Sequence, residues 1–218
     1  MPKSAMDVFE GTGRYKPGDQ VMYTHFRIGR VPPERYEGSQ FPEGEQALDQ
    51  FLREMTPNTG DFNGQTCAAA MGAALAKVRE MTGNKAILIT HSQAGMVGWA
   101  KPMESIAAIV AIEPGGTPKV GTPRYNALLA AQVPIAIYFG DYIDNAPQEF
   151  ASIGIWKQMR DNCLEFARQF NADGGNCTVI SLPDEGITGN SHFMFQELNN
   201  AQIADHIEAW LRAQGLAD

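Results

Sequence analysis

The sequence predicts an α/β fold: a parallel sheet with helices on both faces. Three observations predict it. Four short apolar runs lack polar alternation, as strands buried on both faces do. Segments of helical period lie between them. Residues able to do chemistry follow the strands, where an open parallel sheet places its site.

Residues 1–66 read as irregular and rich in Gly and Pro, with one helix-like run from Gly44 to Met55 carrying Ala47, Phe51, Leu52 and Met55. A segment this long without elements of its own is a functional lid or a region whose partner strands lie elsewhere. From Thr66 the pattern is regular. Cys67 to Met81 predicts a helix closed by Gly83-Asn84. Ala86 to Thr90 predicts the first strand, followed by a small-residue turn and an apolar stretch from Gly95 to Ala100. Ile106 to Ile112, Pro134 to Phe139 and Cys177 to Leu182 predict three more strands. Helices are predicted over Ile155 to Phe170 and from Asn200 to Ala213, the latter with Ile203, Ile207, Trp210 and Leu211 as its apolar stripe.

The chain of 218 residues is long enough for one domain with a sizeable core. A formal net charge of −8 without a Lys/Arg run argues against nucleic acid or an anionic membrane surface as partner. No stretch is apolar enough to span a bilayer. The N-terminus does not read as a secretory signal, which sets the cytoplasm as the default location. Cys67, Cys163 and Cys177 are odd in number and lack metal-ligand spacing, so they read as free thiols in reducing surroundings. No metal site and no cofactor motif is read.

The first strand runs into Thr90-His91-Ser92-Gln93-Ala94-Gly95. A Ser with small residues two before and two after it, just past a strand, is the pattern of a nucleophile elbow. The turn needs small neighbours because it packs helix against strand closely. The pattern's outer glycines are Thr90 and Ala94 here. The second strand ends in Glu113-Pro114-Gly115 and the third in Gly140-Asp141, so either carboxylate could orient a catalytic histidine. His192 lies in a Gly-rich loop between the last strand and the last helix. Ser, then acid, then His is the chain order of α/β-hydrolase triads.

Four runs carry a closer resemblance: Thr-His-Ser-Gln-Ala-Gly (90–95), Ala-Ile-Glu-Pro-Gly (111–115), Phe-Gly-Asp (139–141) and Gly-Asn-Ser-His-Phe-Met (189–194). Together they resemble a small family of α/β-hydrolase esterases, over about Arg27 to Leu211. The resemblance implies the α/β-hydrolase fold with a partial sheet of about four strands. It implies Glu113 after strand six as triad acid, with Asp141 as the alternative. It also implies that residues 27–66 form a cap, within an irregular cap-like segment over 1–66, and that 67–218 form the C-terminal half of the hydrolase domain. Family members carry a first half-sheet and a His-Gly loop ahead of the cap. The sequence departs from them there and reads as N-terminally truncated.

The expected activity is hydrolysis of a small carboxylic ester through an acyl-enzyme on Ser92. His192 is the expected general base, and the Gln93 backbone N–H one oxyanion donor. Phe193, Met194 and Phe195 are candidates for an acyl pocket or for the core. His91 is expected to point away from the site as a packing residue, and His25 and His206 are given no role. The alternative function is an inactive or split fragment that acts only with a partner, either a complementing N-terminal half or a second copy.

Overall fold

The computed structural model describes residues 19–54, 62–99, 103–144 and 151–217. Their elements are α1 (Asp19–His25), α2 (Glu45–Glu54), α3 (Gly64–Thr82), β1 (Ala86–His91), β2 (Ile106–Ile112), α4 (Pro123–Ala131), β3 (Ile135–Phe139), α5 (Ala151–Ala172), β4 (Cys177–Ser181) and α6 (Asn200–Ala213). All four strands are parallel, in the order β1-β2-β3-β4.

The side-chain period of two divides each strand between two cores. Ile109 and Ala111 of β2, with Ile135, Ile137 and Phe139 of β3, face α3, α4 and α5, where they meet Leu75, Leu128, Trp156, Phe166 and Phe170. Val110, Ile112, Ala136, Tyr138 and Ile180 face the opposite way, against Ile203 and the partly buried Ile207 and Trp210 of α6. Each fully buried aliphatic or aromatic side chain stabilises the fold by about 1.5–3 kcal/mol, so β2 and β3 dominate the packing. β1 is different. It lies at the sheet edge, and Ile89 remains 55% exposed.

Local chemistry sets the helix ends. Asn63 caps α3 by accepting from Thr66 N, and Gly83 closes it at φ 73°. Thr122 caps α4 ahead of Pro123 at its first position. The Gly44 to Met55 run forms α2 as far as Glu54, Met55 lying outside the described residues.

Two expectations are corrected and one helix is added. Residues 1–66 are not irregular apart from one helix, since α1 forms and α3 begins at Gly64; residues 1–18 and 55–61 lie outside the described part. No α-helix follows Ser92 directly. The chain makes a 3-10 turn, Ser92–Met96, in which Gly95 packs on Pro114. The short helix α4 carries no marked apolar stripe and was not predicted.

The segment from α1 to α2 folds over the carboxyl end of the sheet. Tyr23, Ile28, Phe41 and Phe51 form a third, smaller core with the partly buried Phe193. Cys163 and Cys177 are buried free thiols and Cys67 is an exposed one. No helix among the described residues is long and apolar enough to cross a membrane.

Candidate active site

Ser92 stands at the end of β1 with φ 53°. That left-handed conformation is costly for a residue with a Cβ and is stored where structure around it enforces it. Here the enforcement comes from the neighbouring turn. Gly115 N donates to Ser92 O at 2.9 Å, and a Cβ on Gly95 would lie 2.5 Å from Pro114 Cβ. The turns after β1 and β2 are therefore one packed unit. Gln93 is exposed in the first turn of the 3-10 segment, where amides have no acceptor within the turn.

Glu113 ends β2 with φ 41° and is wholly buried. Its Oε2 lies 2.6 Å from His192 Nδ1. Its Oε1 accepts from Gly140 N at 2.8 Å and from the Arg27 guanidinium. A Cβ on Gly140 would lie 2.7 and 2.8 Å from two carbonyl oxygens of the His loop, so only glycine lets this backbone come so close. Burial by itself raises the carboxyl pKa. The Arg27 charge and the bond to His192 outweigh it and hold the pKa down at about 2. An ionised carboxylate only accepts, so the proton on the bond to His192 belongs to Nδ1 and Nε2 is the basic nitrogen.

His192 is 0% exposed. Its N donates to Phe26 O at 3.0 Å, and its O accepts from His91 Nε2 at 2.9 Å. Phe26 stacks on the ring at 5.0 Å and Trp156 lies 4.2 Å away. Nε2 is buried with no hydrogen-bond partner among the described residues, and no bond joins it to Ser92 Oγ. Unliganded sites often leave that bond unmade. Burial lowers the His192 pKa, and the Glu113 bond only partly restores it.

Asp141 does other work. Its Oδ2 accepts from Gly189 N at 2.9 Å, its Oδ1 from Tyr142 N at 2.7 Å, and its own N donates to Asn190 O at 2.7 Å. It holds the His loop while Glu113 faces the ring. Glu197 helps from below, accepting from Ser191 N at 2.9 Å and from Asn190 Nδ2 at 2.7 Å.

Several placements differ from expectation. His91 does not point away. Its ring packs 4.4 Å from that of His192, and burial, with the nearby His192, lowers its pKa to about 4. Met194 is fully buried beneath β2–β4, so it lines core rather than a pocket. Phe193, with Phe26, Phe51, Glu54 and Gln196, lines an open cavity of about 230 Å³. Phe195 is partly exposed against His91. His206 bonds Tyr138 Oη at 3.1 Å, and His25 packs on Trp156 and Phe26. Sequence reasoning missed Phe26, Arg27 and Trp156. An Arg in Thr-His-Phe-Arg-Ile-Gly gives no sign that it will be buried. Among the described residues no group of three or more His, Cys, Asp or Glu could hold a metal ion.

No protein-family model matches the chain. A protein of Fungal sp. (strain ATCC 74256) named "Probable secreted lipase phiG" is 25% identical, over 59% of this chain and 46% of its own length. A solved structure described as a novel bacterial esterase matches with a TM-score of 0.74 and 28% identity, over 92% of this chain and 58% of its own. The chain thus spans about half the length of the relatives it matches, both named as ester hydrolases. Parallel strands between helix layers, an N-terminal cap-like segment and this likeness give the chain an α/β-hydrolase fold with a partial, four-stranded sheet among the described residues.

Proposed function

We propose that this chain is a serine hydrolase that cleaves a small carboxylic ester through an acyl-enzyme on Ser92. One observation carries the reading. A buried histidine with Glu113 on Nδ1 and an unpartnered Nε2 packs against His91, the residue just before a serine held at positive φ on a strand end. His192 takes the Ser92 proton as Oγ attacks the carbonyl. Glu113 fixes the tautomer and balances the imidazolium. The oxyanion forms against the Gln93 N–H. His192 then protonates the leaving alcohol and activates the water that releases the acid. These steps need no metal or cofactor. The cavity walled by Phe26, Phe51 and Phe193 suits an apolar acyl group. In this reading residues 1–66 serve as the cap and 67–218 as the catalytic half-domain.

A fluorophosphonate probe tests the proposal. It should label the purified chain, and Ser92→Ala should abolish the labelling. Folded chain that stays unlabelled counts against the reading.

A second reading has its own support. β1 is a sheet edge with Ile89 exposed, so the chain could act as a split or inactive hydrolase fragment that needs a partner chain. A second oxyanion donor would then come from that partner, and one such donor is worth about 10²–10³ in turnover. Light scattering separates the two: a monomer that labels at full rate rules out the partner requirement.

A further inference from the structure

The proposed chemistry requires a carboxylate that stays ionised where no water reaches it. Glu113 is 0% exposed, and so is Arg27, which comes from the far end of the described chain. The guanidinium meets Glu113 on Oε1 and leaves Oε2 to His192. Its Nε donates to Asp141 O at 3.0 Å, and its carbon lies 5.1 Å over the Trp156 ring that flanks His192. Arg27 itself has φ 62°, in a tight turn where its N donates to Thr24 O and Ile28 N to Tyr23 O. A strained backbone at a non-glycine residue aims this side chain at the acid.

We infer that Arg27 is a positioning residue of this site: it fixes Glu113 as an anion through one oxygen and opposes a second positive charge on the His192 ring. The inference rests on the reading of Ser92, Glu113 and His192 as the reacting set. The groups facing His192 are Glu113 from the end of β2, Arg27 from the turn after α1, His91 from the end of β1 and His25 from the end of α1. Burial keeps both neighbouring histidines largely uncharged near neutral pH. Protonating His192 therefore leaves the cluster with a net positive charge, which a water-free site disfavours. Remove the Arg27 charge and the protonated cluster is neutral. The pair of Glu113 and His192 should then take up its proton at higher pH.

The test is a titration of the His192 ring by nitrogen NMR in the full chain, with the Glu113 carboxyl followed by carbon NMR. In the wild type His192 should titrate below its ordinary value of about 6.5, and Glu113 should remain ionised at about pH 4. Arg27→Gln should raise the His192 value by about one unit or more, while Arg27→Lys, which keeps the charge, should hold it within about half a unit. Fluorophosphonate labelling should follow the same order, with Arg27→Gln losing its rate at a higher pH than the wild type or Arg27→Lys as the solution is acidified. A purely structural role would lower the melting temperature without moving the titration. An unmoved titration in folded Arg27→Gln overturns the inference, as does a Glu113 protonated at about pH 4 in the wild type. If Arg27→Gln does not fold, the wild-type and Arg27→Lys titrations decide. A wild type that titrates as stated yet leaves Ser92 unlabelled refutes the hydrolase reading and supports the role of Arg27 on its pair.

Discussion

At the scale of the residue, the acid is the sharpest question. Glu113 bonds His192 Nδ1, whereas both oxygens of Asp141 are taken by backbone amides of Gly189 and Tyr142. Glu113→Gln offers Nδ1 no anion and permits the wrong tautomer. Turnover of a p-nitrophenyl ester should fall by about 10³–10⁴. The substitution also leaves Arg27 as a buried charge without its counter-ion. It should cost about 3–5 kcal/mol by denaturant unfolding. A variant as active as the wild type would remove Glu113 from the mechanism.

At the scale of the element, the His loop is a small structure in its own right. Asp141 holds it from β3, Glu197 from the start of α6, and Gly189 O accepts from Gln40 N of the cap-like segment. Asp141→Asn weakens one charged anchor while leaving the Glu113 bond to His192 in place. It should cost about 1–3 kcal/mol in stability and leave the pH dependence of turnover unchanged. A shift in that pH profile would show that Asp141 acts on the ring after all.

The elements also show what a sequence can disclose. β2 was readable to the residue because a strand buried on both faces is a plain apolar run, and α6 because its stripe repeats at helical period. Ser92 and Glu113 stood out because each follows a strand, and His192 because it lies in the loop before the last helix; the bond between Glu113 and His192 joins two of these three positions. Arg27 was not, since its burial is decided by a carboxylate 86 positions away. His91 misled for a local reason. Alternation along a strand puts it opposite Ser92, but the left-handed turn at Ser92 redirects the chain. α4 escaped because a short capped helix with little amphipathic contrast has no period to detect.

For the whole molecule, the buried histidines set the response to acid. His25, His91 and His192 all have pKa values lowered by burial, that of His91 to about 4. The unfolded chain binds protons at these groups below about pH 6.5 while the folded chain refuses them, so stability falls as pH drops from there toward about 4. Glu113 adds to this at lower pH. Its folded value of about 2 lies below its unfolded one, so its contribution, full above the unfolded value, is lost as pH falls through about 2. Glu197 opposes both, because burial raises its pKa and protonation relieves it. The melting temperature should therefore decline steadily between about pH 7 and pH 4. A profile that stays flat over that range in the wild type and also in Glu197→Gln, which removes the opposing group, would mean that these histidines are not held neutral.

His192 is held by its backbone, its N–H donating to Phe26 O and its carbonyl accepting a hydrogen bond from His91 Nε2. The ring rests in a box that the rest of the chain builds: Phe26 stacked along one face, Trp156 tilted beside it, and the Glu113 carboxylate at one edge. In the language of host and guest, the imidazole is a tethered guest. Its receptor is an aromatic slot with an anion at one end and the Arg27 cation over one wall, a host that orients a flat ring and keeps it neutral at rest.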